Sequence, residues 1–201
     1  MFSRLNTRLG LLSMVVALVV AAGLFVASDR AFCKEESKGQ TITGEIFKFL
    51  KEQKVSLNES KIMTMAKTIY QESHEQGVDY RLVLAIIRVE SNFKPHITAR
   101  DGSTGLMQLQ PSLAKGIARK KGETFTGSKD LKEPEKNIKF GTYHVAKLME
   151  DYDNVAAALH VYNAGAQRAK LRLAREEEPD TPFVKKVLHE YYKYTAILPE
   201  P

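Results

Sequence analysis

Between residues 45 and 198 the apolar side chains of this 201-residue chain recur three and four positions apart, and no clear run shows the strict alternation of a half-buried strand. Turn signals cut the pattern into helices of about three turns each: Gly77, the Asn92–Pro95 stretch, Asp101-Gly102, Thr104-Gly105, Pro134, Gly165 and Thr181-Pro182. A chain of this kind buries its stripes only by packing helix on helix, so the expected fold class is all-α, in one ordinary domain.

The stripes can be read one by one. Ile46, Phe47, Phe49 and Leu50 make a short helix over 45–54, and Asn58 caps a longer one that carries Ile62, Ala66 and Ile69 to an end near Gly77. Asp79 caps the next, whose stripe of Leu82, Val83, Ile86 and Ile87 is joined at i+4 and i+8 by Glu90, while Arg81 and Arg88 are free to reach solvent. His96 to Gly105 loses periodicity and reads as a loop, and Pro111 suits an early position in the helix that follows it. Pro134 opens a helix with Ile138, Val145, Leu148 and Met149, and Asp153 is placed to cap an Ala-rich helix that Gly165 ends. Residues 166–178 read as helical, and Thr181-Pro182 starts a last helix with Phe183, Val184, Val187, Leu188, Tyr191 and Tyr192.

The N-terminus differs in kind. Arg4 and Arg8 precede an uncharged run from Leu9 to Ala27, followed by Ser28-Asp29-Arg30, the order of a secretory leader with cleavage after Ser28 or Cys33. That run approaches the roughly 20 residues that span a bilayer, so an uncleaved membrane anchor is the alternative reading, and both send the domain out of the cytoplasm. The division expected is a signal peptide or anchor over 1–33, a polar linker over 34–44, N-terminal helices over 45–76 that pack on the main domain, and that main domain over 77–198. Cys33 is the only cysteine, so the mature domain holds no internal disulfide. Of the net charge of +6, +2 belongs to residues 1–33; the modest remainder is interleaved with Glu, which disfavours nucleic acid and suits an anionic polymer or a solvated surface. The five histidines (74, 96, 144, 160 and 189) show no ligand spacing and read as surface or core residues. No metal and no cofactor is expected.

Glu90 is the residue that stands out. A carboxyl on an apolar helix face is desolvated, which raises its pKa and makes it a proton donor near neutral pH. By periodicity alone it could equally lean out to water or pair with a lysine. Fifteen residues on comes Gly105-Leu106-Met107-Gln108, a loop with a permissive glycine, a polarizable thioether and an amide that donates and accepts. Later comes Tyr162-Asn163-Ala164-Gly165, which by itself is an ordinary helix end.

Together these words resemble the lytic transglycosylases with the catalytic domain of the soluble lytic murein transglycosylases. The resemblance runs from about Gly77 to Leu188. It includes Glu90-Ser91-Asn92-Phe93-Lys94-Pro95, the Gly102 to Gln108 loop, Asn137-Ile138 with Gly141, and Tyr162 to Gly165. It implies a lysozyme-like helical fold with a central cleft. It also implies cleavage of the β-1,4 bond between N-acetylmuramic acid and N-acetylglucosamine in peptidoglycan, leaving a 1,6-anhydro end, with Glu90 as the single acid/base. By the same resemblance Ser91, Gln108 and Tyr162 orient Glu90 or the sugar, and Met107 and Asn163 line the cleft. The partners it implies are glycan strands in the periplasm or cell envelope, with wall-spanning secretion machinery and the membrane as further candidates. Three positions depart from the family pattern: Ala99 where Ser is frequent, Ser103 where Ala is, and Phe183 where Tyr is usual. A goose-type hydrolase, with Asp101 positioning water, and a wall-binding protein without turnover are the alternatives.

Overall fold

The computed structural model describes residues 34, 36–152, 154–165 and 180–201 and divides into two units, Met1–Thr41 and Ile42–Pro201. The leader or anchor over 1–33, the helix expected over 166–178 and the Asp153 cap lie outside the described residues. Within the first unit, residues 36–41 are helical. Among the described residues no helix is long and apolar enough to cross a membrane.

In the second unit residues 42–52 are helical (α1), followed by α2 (Glu59–Gln76), α3 (Tyr80–Ser91), α4 (Pro111–Lys121), a short 3-10 turn (Asp130–Lys132), α5 (Pro134–Asp151), α6 (Val155–Ala164) and α7 (Pro182–Thr195). The described residues hold no strand beyond isolated bridges. The fold class is therefore all-α, as the periodicity required.

Residues 36–44, expected as part of a polar linker, are helical. Ile42 stands one turn before Ile46 and is 1% exposed, so the buried stripe of α1 begins earlier than the polar composition around it suggests.

The caps explain most boundaries. Asn58 accepts from the Lys61 amide and Asp79 from the Arg81 amide, and Gly77 closes α2 in the left-handed region. Val155 rather than Asn154 opens α6, because the Asn154 side chain accepts from the Ala156 amide and so occupies the cap itself.

Helix α3 is the central element, buried from Tyr80 through Ile87 and packed against α7 and α2. Arg81, expected to reach solvent, instead folds back on its own cap: its guanidinium lies 2.7 Å from Asp79 Oδ2 and the side chain is nearly buried. Tyr191 of α7 donates to the same carboxylate (3.0 Å), and Tyr80 donates to the Pro199 carbonyl (2.6 Å). A charge beside a half-buried cap carboxylate is better paired than solvated at this depth, which is why periodicity misplaces it. These ties fasten the C-terminal tail to the start of α3. Tyr194 and Phe93 both meet Phe49, with ring centroids 4.8 and 6.0 Å away and edges turned to faces.

Candidate active site

Glu90 occupies the last turn of α3, and the chain reverses sharply just after it. Asn92 and Phe93 both take left-handed backbone conformations, with φ of 51° and 60°. Left-handed backbone costs about 1–2 kcal/mol per non-glycine residue, so something must hold it. Asn92 is held by its amide on the Arg88 carbonyl (3.1 Å) and its Oδ1 on the Arg88 guanidinium (2.6 Å). Phe93 is held by full burial. The end of α3 is thus fixed, and with it the Glu90 backbone.

Opposite lies the segment from Ile97 to Gln110. Short hydrogen-bonded reversals build it: Thr104 pairs with Leu109 through both amides, the Gly105 amide donates to Ile97 (2.9 Å), and the Ala99 amide to Ser103 (2.9 Å). Gly105 sits at φ 86°, and a Cβ there would run into the Leu131 carbonyl and the Asn137 amide. Only glycine fits.

Asn137, on α5 and wholly buried, anchors this segment. Its Oδ1 accepts from the Met107 amide (2.7 Å), and its Nδ2 donates to the Thr104 (2.9 Å) and Leu131 (3.0 Å) carbonyls. From the other side the Tyr162 hydroxyl donates to the Met107 carbonyl (2.6 Å). The two polar ends of one residue, Met107, thereby join α5, α6 and the loop. The Met107 side chain, expected to line the cleft, is instead fully buried against Gly141, where any Cβ would meet its sulfur.

Between these elements opens a cleft of about 860 Å³ lined by Glu90, Asp101, Gln108, His144, Tyr162 and Asn163 among others. Burial, with a smaller push from the Asp101 carboxylate, raises the Glu90 pKa to about 7. Asp101 is exposed, and the Ser103 hydroxyl and amide hydrogen-bonded to it hold its own pKa below the usual carboxylate range. The cleft therefore holds two carboxyls in different states near neutral pH, Glu90 able to keep a proton and Asp101 ionised. Burial lowers His144 to about 4, so it is a neutral imidazole in the wall. Burial, then the charge of Glu90, pushes the Tyr162 phenol well above its ordinary value and keeps it a donor.

The expected site residues separate into two groups. Glu90, Gln108, Tyr162 and Asn163 share the cleft. Ser91 and Met107 do not reach it by their side chains: Ser91 is buried with its hydroxyl on the Ile87 carbonyl (3.0 Å). Gln108 is heavily committed to its own loop, its Nε2 donating to Gly105 (2.7 Å) and its Oε1 lying 3.2 Å from the Ser103 hydroxyl. That hydroxyl is nearer to Asp101 Oδ1, at 2.8 Å. Phe183 stacks parallel on Tyr162, centroids 6.4 Å apart, and His144 leans on the ring at 5.5 Å.

Sequence reasoning overlooked Asn137 and His144 as parts of the site. With Gly141 and Leu148 they fall at i, i+4, i+7 and i+11, one continuous face of α5. A buried amide, a glycine and an imidazole on one helical stripe was the available signal.

The model of the family described as Transglycosylase SLT domain matches residues 67–182, more than half of the chain. Among solved structures, an inactive mutant of the lytic transglycosylase Slt from Pseudomonas aeruginosa is 26% identical with a TM-score of 0.58, over 66% of this chain and 24% of that one. The 70-kDa soluble lytic transglycosylase from Escherichia coli is 21% identical with a TM-score of 0.60, over 80% of this chain and 31% of that one. It has also been solved in complex with bulgecin A. The likeness at 21% identity is one of fold alone. The matched part of the chain covers 24% to 31% of the length of these proteins.

Proposed function

The chain belongs to the transglycosylase SLT domain family, and on that footing we propose that it is a peptidoglycan lytic transglycosylase with Glu90 as its single acid/base. The observation that carries the reading is a carboxyl with a pKa of about 7 facing an open cleft large enough for several sugar rings. Such a group gives up a proton and takes one back near neutral pH with little driving force lost in either direction. The Pseudomonas relative was rendered inactive by replacing one glutamate with glutamine, which agrees with a family chemistry centred on a glutamate.

In the proposed reaction Glu90 donates its proton to the glycosidic oxygen as the bond to the anomeric carbon of N-acetylmuramic acid breaks. The sugar's own N-acetyl oxygen closes on the cationic carbon, so no second protein carboxylate is needed. Glu90, now ionised, removes the proton from the 6-hydroxyl, whose oxygen attacks the anomeric carbon and expels the acetamido oxygen. The products are a free 4-hydroxyl on one fragment and a 1,6-anhydro end on the other. Tyr162 contributes through its hold on Met107, and Gln108 through the turn it braces; both keep the cleft wall still while charge develops. Asn163, exposed at the rim, is left to contact sugar.

Murein lies outside the cytoplasmic membrane, so this function places the domain in the periplasm or cell envelope. The leader or anchor read over residues 1–33 agrees with that placement. Wall turnover and the opening of the wall for a secretion apparatus are both open to such an enzyme.

A second reading has an observation of its own. Asp101 lines the same cleft, is ionised and acts electrostatically on Glu90, as a residue that positions water would. Mass spectrometry of a muropeptide digest separates the two, since a hydrolysed end is one water heavier than an anhydro end. Glu90→Gln should abolish anhydro products without unfolding the chain; full activity in that variant overturns the proposal. Wild-type protein that binds purified walls without clearing them would make the chain a wall-binding component instead.

A further inference from the structure

The catalytic cleft does not stop at Ser112. That residue also lines a second, open groove of about 520 Å³, whose walls include Lys115, Gly116, Arg119, Glu123 and Phe125. Ser112, Lys115, Gly116 and Arg119 fall at i, i+3, i+4 and i+7, so one face of α4 leads out of the cleft and forms the side of the groove.

The charges of this groove are uneven. Lys115 and Arg119 are exposed, and neither has an ion-pair or hydrogen-bond partner among the described residues. Glu123 is already neutralised by Lys139 at 2.6 Å. What remains is a pair of cations one turn apart with no internal use, above a half-buried Phe125. Gly116 between them leaves open space over the helix backbone, where even an added Cβ would touch nothing. From Ser112 to Arg119 the helix advances roughly 10 Å, the span of about three residues of extended peptide.

Peptidoglycan carries peptides on its muramic acid residues, and those peptides bear free carboxylates at their ends and along their length. Resting on the proposed function above, we infer that the α4 groove binds the stem peptide of the strand held in the cleft, with Lys115 and Arg119 taking its carboxylates. The groove shares Ser112 with the lining of the cleft, so a stem that leaves the cleft along α4 enters it. Arg119 offers a planar fork suited to a carboxylate, and Lys115 a movable point charge. The groove thereby favours strands that still bear peptide over bare ones.

The test uses the full chain in the Glu90→Gln background, so that no strand is cut during measurement. Affinity is read by fluorescence anisotropy for soluble glycan strands with intact stems, for the same strands with stem carboxylates converted to amides, and for strands stripped by an amidase. Intact stems should bind best. Lys115→Glu combined with Arg119→Glu should weaken their binding about tenfold, consistent with two solvent-facing ion pairs lost and reversed. The same pair of changes should alter binding of amidated or stripped strands less than about twofold, since amides give the two cations no charge to hold and the lactyl carboxylate that an amidase leaves stays on the sugar, away from the groove. Lys115→Gln with Arg119→Gln, which keeps side-chain bulk, should lose a smaller part of the same preference.

Equal loss on all three ligands overturns the inference, and so does the absence of any preference for intact stems before substitution. Cleavage is scored separately, with Glu90 restored. A chain that discriminates stems but cuts nothing refutes the catalytic reading and leaves the groove standing.

Discussion

Replacing Glu90 with glutamine should stabilise the protein above neutral pH while removing its activity. In water a glutamate titrates near 4.5; in the cleft Glu90 titrates near 7, chiefly because burial disfavours the charged form. Between those values the folded chain holds a proton that the unfolded chain has already released. Stability therefore falls as pH rises from about 4.5 to about 7 and is flat beyond, the reverse of a carboxylate whose pKa is lowered on folding. At about 1.4 kcal/mol per pH unit the whole shift corresponds to roughly 3 kcal/mol, and partial exposure of the side chain brings the expected effect to about 2 kcal/mol. Glutamine has nearly the same shape and never ionises. Denaturant unfolding of both proteins should give matching stabilities near pH 4 and a glutamine advantage of about 2 kcal/mol near pH 8, or roughly 4–8 °C in melting temperature for a domain of this size. An advantage that does not change with pH, or a glutamine variant less stable than wild type near pH 8, would refute the claim that burial tunes this carboxyl.

Other outcomes follow from the same geometry. Asn137→Ala strands the Met107 amide and the Thr104 and Leu131 carbonyls in a buried place, so it should cost about 3–5 kcal/mol in urea unfolding; a loss under 1 kcal/mol would mean the anchor is dispensable. Gly105→Ala combines a left-handed backbone with a collision against Leu131 and Asn137, and should lower stability by at least about 2 kcal/mol together with activity. Asp101→Asn removes the smaller of the two influences that raise Glu90, so the alkaline limb of kcat/KM should move to lower pH; a limb that stays in place would show that Asp101 does not act on Glu90.

Local order was readable from the residues, and long-range order much less so. Asn58, Asp79 and Thr181 cap the helices the sequence assigned to them, because a cap is settled within four residues. The inward register of Glu90 followed from Leu82 and Ile86 for the same reason. Arg81 went astray because its partner's surroundings, Tyr191 and the tail at Pro199, come from more than a hundred positions away. Asn137 was quoted within a motif but given no role, because its three partners lie on two other segments, and an amide alone on a helix face declares nothing about what will meet it. Met107 was assigned to the cleft by its place in a motif, whereas Gly141 opposite it makes a socket that takes its side chain inward. The Ile97–Gln110 segment shows neither helical nor alternating periodicity, yet backbone hydrogen bonds at Ala99, Gly102, Thr104, Gly105, Gln108 and Leu109 hold it, since single bridges and turns leave no periodic trace.

The double hold on Met107 also bears on when the enzyme comes into being. Its amide is held from 30 positions away and its carbonyl from 55 positions away on the opposite side. Ties of that span form after local helices, since closing long loops is entropically slow to be rewarded. A chain halted midway in folding carries every residue of the catalytic machinery and owns no cleft. Regained activity is therefore a stricter witness of complete folding than helical content, because the cleft is whole only once these last long-range contacts close.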